Sequence, residues 1–171
     1  MPPQIGYYCY HDTPIGPLLL AGHEHGLCRI AFPDCEAGQP PDPHSAGLGH
    51  INVQWRKQPV AFGAARAQLD AYFAGTLRSF DLPLEPHGSA FQQRVWAALQ
   101  AIPYGQTRSY QDIAYAIGQP AACRAVGMAN HRNPLPIVIP CHRVIGKNGA
   151  LTGFGGGLAT KRFLLQLEGV D

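Results

Sequence analysis

The spacing of hydrophobic and polar positions changes from short alternating runs in the first half of the chain to helical stripes in the second. Short apolar runs bounded by turn residues predict three strands of a short antiparallel sheet, at residues 7–10, 17–21 and 27–32. Residues 33–50 are rich in Pro, Gly, Asp and Ser and predict a surface loop. Apolar residues at helical spacing over 61–74 predict one helix. The first half is therefore predicted to be a small α/β unit.

The second half carries apolar residues mainly at helical spacing. Four helices are predicted, at residues 91–102, 109–118, 121–131 and 161–168. Pro103 ends the first, and tight turns separate the first three, which favours a helix-turn-helix with 121–131 as the recognition helix. The small side chains of 121–131 are equally compatible with tight helix packing. In the last helix, Phe163, Leu164, Leu165 and Leu167 are predicted to face the core.

These elements predict an α/β N-terminal domain followed by a mainly helical, winged-helix-like C-terminal domain. Two prolines and a glycine mark residues 81–88 as the linker, so the domains are predicted at 1–80 and 89–171. A chain of 171 residues is long enough for this arrangement with a substantial core.

Charge is distributed unevenly between the two halves. Residues 1–85 hold five Lys/Arg against eight Asp/Glu, a net charge of −3, whereas residues 86–171 hold eight against three, a net charge of +5. A basic domain points weakly to a polyanion such as nucleic acid.

The sequence contains no apolar run of membrane-spanning length and no signal-peptide pattern at its start, so a soluble cytoplasmic protein is expected. Five cysteines without a Cys-x-x-Cys pattern favour free thiols over disulfides.

The run Pro140-Cys141-His142-Arg143 places a thiol next to a base. The thiolate is the nucleophilic form of cysteine, and an adjacent base can remove the thiol proton. The apolar run at 135–139, although it contains Pro136, predicts a buried strand that ends at Pro140. The alternative interpretation is a small core cysteine beside an incidental histidine.

Further short motifs accompany this run in a fixed order. They are Phe91-Gln92-Gln93-Arg94-Val95-Trp96, Ile102-Pro103-Tyr104-Gly105, Ser109-Tyr110, Arg124-Ala125-Val126-Gly127, Asn133-Pro134, Ile139 to Val144, and Leu164-Leu165-x-x-Glu168-Gly169. In the first half, Thr13 to Pro17 and Tyr72 to Gly75 add to the pattern. With these motifs the chain resembles the methylated-DNA–protein-cysteine methyltransferases, also called O6-alkylguanine-DNA alkyltransferases, over most of its length.

The resemblance implies DNA repair by irreversible, stoichiometric transfer of the alkyl group of O6-alkylguanine to Cys141. It implies that Glu168 orients His142, that His142 deprotonates Cys141 through a water, and that Asn133 holds the site in place. Tyr110 is expected to donate its hydroxyl to the base as guanine leaves. O4-alkylthymine is left open as a second substrate.

The resemblance also implies that the target nucleotide is flipped out of a duplex through the minor groove. Arg124 is then expected to occupy the place of the flipped base, while Ala122, Ala125, Gly127 and Tyr110 contact DNA. The expected pocket for the base comprises Val144, Phe154, Gly155 and Gly156. Many relatives have Tyr at 154 and some have Ser at 155, so Gly155 is expected to leave room for larger alkyl groups.

The expected partner is double-stranded DNA with alkylated bases, and the protein is expected to be a monomer that uses no cofactor and no membrane. His23, Cys28 and His87 fall near a zinc site of some members, but Gln4 takes the fourth position. Three ligands make a poor structural zinc site, so no metal is predicted, with Cys9 or His25 left open as a substitute fourth ligand. Competing interpretations are a non-catalytic alkyltransferase-like DNA binder, a winged-helix regulator and a cysteine hydrolase. The first would lack Cys141, and the second would not need Glu168. The third would require an oxyanion site, and no motif marks one.

Overall fold

The structure is a computed structural model that describes residues 2–34, 36–49 and 52–171. The chain divides into two compact units, Met1–Pro86 and His87–Asp171. The assignment of 81–88 as a linker stays a prediction, although residues 83–85 pair with the strand that contains Leu27. Cys35, one of the predicted free thiols, and His50, the end of the predicted loop, lie outside the described residues.

The first unit contains a mixed four-stranded sheet. Its strands are β1 (Gln4–Thr13), β2 (Gly16–His23), β3 (Gly26–Ala31) and β4 (Val53–Lys57). The order across the sheet is β3-β2-β1-β4. The three predicted strands are confirmed and pair antiparallel, as expected, and a fourth strand, β4, pairs parallel to β1, so the sheet as a whole is mixed. β4 was not predicted, because its five residues mix Val and Trp with Gln, Arg and Lys.

A helix and a short turn supply further buried side chains to the first unit. The predicted helix is present as α1 (Gly63–Phe73), which buries Ala65, Leu69 and Tyr72. The predicted loop contains a turn of π-helix at His44–Leu48, whose Ala46 and Leu48 pack with Leu19 and Ala21 of β2.

The second unit contains the four predicted helices. They are α2 (Ala90–Gln100), α3 (Tyr110–Ala116), α4 (Cys123–His131) and α5 (Leu158–Leu167). Ser89 and Ser109 each form a capping box that starts α2 and α3, so the helices begin where the sequence provides side-chain acceptors for their first N–H groups. The indole Nε1 of Trp96 donates to the carbonyl of Ala129 at 2.9 Å and fixes α2 against α4.

The predicted strand at 135–139 is wrong. These residues are buried, but they form turns, in which Ile137 has φ of 74° and the Ile139 N–H donates to the Leu135 carbonyl at 2.8 Å. Pro136 has no N–H to offer a ladder, and the only two-stranded pairing in this unit joins β5 (Arg108–Ser109) to β6 (Val144–Ile145) among the described residues.

The core face of α5 also differs from the prediction. Leu164 and Leu165 are buried as expected, whereas Phe163 is 37% exposed and Leu167 is half-buried. Lys161 is fully buried instead. Over the described residues, no helix combines the length and apolarity that crossing a membrane requires.

Candidate active site

Cys141 begins a single turn of 3-10 helix, Cys141–Arg143, directly after Pro140. Its side chain is buried, with 4% of the residue exposed. Asn133 holds the preceding turn at both ends: its Nδ2 donates to the Ile139 carbonyl at 2.7 Å and its Oδ1 accepts from the Leu135 N–H at 3.0 Å. The thiol therefore lies in a packed segment whose shape depends on one amide side chain.

Burial raises the pKa of the Cys141 thiol to about 11, while a hydrogen bond from Asn133 and the charge of Lys161 act in the opposite direction. Desolvation dominates because the thiolate would lose its hydration in this packed segment. The resting thiol therefore holds its proton at neutral pH, and an acceptor must remove this proton during the reaction.

His142 and Glu168 form a fully buried pair. The Nε2 of His142 lies 2.7 Å from Oε1 of Glu168, and neither side chain is exposed. If Nε2–H donates to the carboxylate, Nδ1 is an acceptor, and this atom is buried without a hydrogen-bond partner among the described atoms. Burial lowers the pKa of His142, although the bond with Glu168 opposes this shift, so the imidazole is neutral and its free nitrogen can accept a proton.

Arg143 holds Glu168 from the other side. Its Nε donates to Oε2 at 2.8 Å and its Nη2 to Oε1 at 2.9 Å, while Nη1 donates to the Ile102 carbonyl at 2.7 Å. This fork-to-fork pairing compensates the buried carboxylate and fixes its orientation toward His142.

Lys161 is the second buried cation near the thiol. Its Nζ donates to the Val144 carbonyl at 2.6 Å and to the Thr152 carbonyl at 3.0 Å. Burial lowers its pKa, and interaction with Cys141 opposes that shift. The ammonium thereby joins the backbone after Cys141 to the loop before α5.

No role was predicted for Arg143 or Lys161. Arg143 lies within the cysteine motif itself. Lys161 precedes Leu164, Leu165 and Glu168 by three, four and seven residues, which is the spacing of one helix face. This spacing places a charged residue among the buried positions of the helix and could have indicated that Lys161 is buried.

The expected DNA-contacting residues lie around α3 and α4. Arg124 and Ala125 are exposed on α4, whereas Ala122 and Gly127 are half-buried. A Cβ on Gly127 would lie 3.8 Å from the Tyr110 ring, an ordinary van der Waals distance, so this ring packs beside α4. The Tyr110 hydroxyl lies 2.9 Å from Oγ1 of Thr152, a loop residue that the sequence analysis did not single out.

The residues of the expected base pocket differ in how far they are buried. Val144 is fully buried directly after the 3-10 turn, Gly156 is buried, Phe154 is half-buried and Gly155 is exposed. Among the residues that the structure describes, no atom lies within 4 Å of a Cβ built on Gly155, so this position has unfilled space beside it. The structure thus joins His142 to Glu168 directly after Cys141, places Asn133 against the turn that precedes Cys141, and joins Tyr110 to the pocket loop.

Comparison with known proteins gives matches over both units. The family described as 6-O-methylguanine DNA methyltransferase, ribonuclease-like domain, matches residues 6–86, and its DNA binding domain matches residues 90–170. A methylated-DNA–protein-cysteine methyltransferase of Methanosarcina acetivorans is 51% identical over 165 residues, which cover 95% of this chain and 98% of the relative.

Solved structures give the same result. The crystal structure of Mycobacterium tuberculosis O6-methylguanine methyltransferase is 51% identical with a TM-score of 0.82, and covers 95% of this chain and 92% of its own. The crystal structure of Mycobacterium tuberculosis OGT in complex with DNA is 50% identical with a TM-score of 0.81 and the same coverage.

Proposed function

The chain belongs to the 6-O-methylguanine DNA methyltransferase family, and from this membership we propose that Cys141 is the cysteine that accepts the alkyl group. The protein is a methylated-DNA–protein-cysteine methyltransferase, which repairs DNA by transferring the alkyl group of O6-alkylguanine to one of its own cysteines. The observation that carries the assignment is the buried pair of His142 and Glu168 directly after Cys141, in which Nδ1 of His142 has no hydrogen-bond partner among the described atoms.

In the proposed reaction, the Cys141 sulfur attacks the alkyl carbon, a carbon–sulfur bond forms and the bond from carbon to O6 of guanine breaks. The thiol proton passes through a water to Nδ1 of His142, which Glu168 and Arg143 hold in position. Tyr110 donates its hydroxyl to the base and offsets the negative charge that develops as guanine leaves. The thioether product is stable, so each molecule acts once.

The proposed partner is double-stranded DNA that contains alkylated bases. The exposed position of Arg124 on α4 and the small residues Ala125 and Gly127 beside it support close approach of this helix to a DNA groove. Arg124 would enter the base stack while the flipped nucleotide occupies the pocket of Val144, Phe154, Gly155 and Gly156. We place this activity in the cytoplasm, with the protein acting as a monomer.

Intact-mass spectrometry after incubation with an O6-methylguanine oligonucleotide tests the nucleophile. We expect an adduct of about 14 Da on Cys141, which is the mass of a methyl group replacing a proton. The Cys141→Ala variant should gain no mass, whereas Cys123→Ala, which removes a half-buried cysteine of the same unit, should react like the wild type. Tight lesion binding without any adduct would instead favour a non-catalytic DNA binder.

Reaction with the free base O6-benzylguanine separates the thiol chemistry from base flipping. An Arg124→Ala variant should react with the free base at the wild-type rate and more slowly with alkylated duplex DNA. Equal loss on both substrates would contradict the proposed role of Arg124 in flipping.

A further inference from the structure

Thr152 contacts both Tyr110 and Lys161, and no role has been proposed for it so far. Its Oγ1 lies 2.9 Å from the hydroxyl of Tyr110, and either atom can be the donor. Its carbonyl accepts a hydrogen bond from the buried Lys161 ammonium at 3.0 Å. Thr152 is exposed, so the hydroxyl pair lies at the protein surface.

We propose that Thr152 is a positioning residue for alkyl transfer, because its hydroxyl donates to the Tyr110 oxygen and thereby directs the single phenolic proton toward the base. This inference rests on the proposed function of Tyr110 as the donor to the leaving guanine.

The direction of the bond follows from a count of protons. A tyrosine hydroxyl has one proton to donate, so a Tyr110 that donates to the base has none left for Thr152. Thr152 must then be the donor of the 2.9 Å bond, and Tyr110 must be its acceptor. Without the threonine hydroxyl, the phenolic proton is free to rotate away from the base toward water.

The same bond gains strength as the reaction proceeds. Negative charge on the Tyr110 oxygen increases as its proton shifts toward guanine, and a hydrogen bond to a charged oxygen is stronger than one to a neutral oxygen. Only interactions that strengthen in the transition state accelerate the chemical step. Thr152 is therefore expected to affect the rate of transfer more than the binding of DNA.

Lys161 holds the backbone of Thr152 in place and so fixes its contact with Tyr110. Its ammonium holds the carbonyl of Thr152 and, at 2.6 Å, the carbonyl of Val144, three residues after the nucleophile. The backbone of Thr152 is therefore tied to the segment that carries Cys141.

The test measures single-turnover transfer from an O6-methylguanine duplex, with DNA affinity measured separately. Thr152→Val keeps the branched shape and loses the hydroxyl, Thr152→Ser keeps the hydroxyl, and Tyr110→Phe removes the phenolic proton. Thr76→Val is the matched control, since Thr76 is also exposed and its hydroxyl donates to the Ala71 carbonyl at 3.0 Å in the first unit.

We expect Thr152→Val to slow transfer roughly two- to tenfold at unchanged DNA affinity, the loss typical of one hydrogen bond. Thr152→Ser should restore the rate, and Thr76→Val should leave it unchanged. In the Tyr110→Phe background, Thr152→Val should cause no further loss, because there is no proton left to direct.

Two results would overturn the role of Thr152 alone: a wild-type rate in Thr152→Val, or the same loss in the Tyr110→Phe background as in the wild type. A wild-type rate in Tyr110→Phe would overturn the proposed donor role of Tyr110 and the role of Thr152 with it. Transfer by a Cys141→Ala variant would refute the proposed nucleophile, which is a separate outcome.

Discussion

Replacing Arg143 by methionine tests whether the second unit depends on a compensated buried charge. Methionine has a similar length but no charge and no donors. In the wild type the guanidinium makes two hydrogen bonds to Glu168 and one to the Ile102 carbonyl. After the substitution Glu168, whose side chain is fully buried, keeps its bond with His142 and a 3.4 Å hydrogen bond from the Gly105 N–H but loses the guanidinium.

The expected loss of stability follows from this arrangement. Removing one partner of a buried ion pair costs about 3–5 kcal/mol, since the remaining charge stays desolvated without its counterion. This is a large share of the roughly 5–15 kcal/mol that stabilise a typical domain. With a urea dependence of about 1–3 kcal/mol per molar, the unfolding midpoint should fall by at least about 1 M.

Urea unfolding followed by tryptophan fluorescence can resolve the unit concerned. The chain has two tryptophans, and Trp55 lies in the first unit while the buried Trp96 lies in the second. In a Trp55→Phe background, fluorescence therefore reports on Trp96. Arg162→Met, an exposed arginine on α5, is the matched control and should change stability by less than about 0.5 kcal/mol.

A second substitution distinguishes two causes of lost stability: the Glu168 charge that no longer has the guanidinium beside it, and the loss of side-chain packing. Adding Glu168→Gln to Arg143→Met removes the uncompensated carboxylate, so the double variant should be more stable than Arg143→Met alone. A loss below about 1 kcal/mol for Arg143→Met, or no recovery in the double variant, would refute this reasoning. If Arg143→Met does not fold, Arg143→Lys retains the charge without the fork, and adding Glu168→Gln to it should then reduce stability further, because the buried ammonium loses its carboxylate.

Three further predictions concern the thiol, a helix cap and the pocket. Because the pKa of Cys141 rises from 9.0 to about 11 on burial, its stabilising contribution is complete below pH 9.0 and is lost as the pH rises through about 11. The stability of the wild type relative to Cys141→Ala should therefore fall by about 1.4 kcal/mol per pH unit in this window, and a flat difference in chemical unfolding would contradict the assignment. Ser109→Ala should cost about 1 kcal/mol in urea unfolding, since it removes the capping box of α3, and an unchanged midpoint would count against it. Gly155→Ser should lower the rate for a benzyl adduct relative to a methyl adduct by filling the space beside this residue; equal effects on both adducts would argue against a role in alkyl size.

The helices of the second unit could be predicted because residues close by in the sequence determine where they begin and end. Ser89 and Ser109 supply the first acceptors of α2 and α3, and Pro103 prevents α2 from continuing. The pair of His142 and Glu168 came from the motif pattern, and the contact of 2.7 Å is consistent with it. The catalytic roles assigned to these residues stay predictions.

The elements that sequence reasoning missed depend on distant partners. β4 exists because β1 offers it a parallel edge, which its own five residues do not indicate. The buried run at 135–139 has the composition of a strand, but side-chain bonds from Asn133 hold it in turns. Lys161 is buried because the carbonyls of Val144 and Thr152 receive its ammonium, and only the folded unit brings these two together.

The burial of Cys141 has a consequence for the lifetime of the protein before it meets a lesion. Burial raises the pKa of this thiol and so lowers the fraction of thiolate at neutral pH, and the 4% exposure of the residue restricts access further. Oxidants and small electrophiles in the cell attack thiolates, so an exposed cysteine of ordinary pKa would be consumed by side reactions. Since each molecule can transfer only one alkyl group, the packing around Cys141 preserves the fraction of the protein population that remains competent for repair.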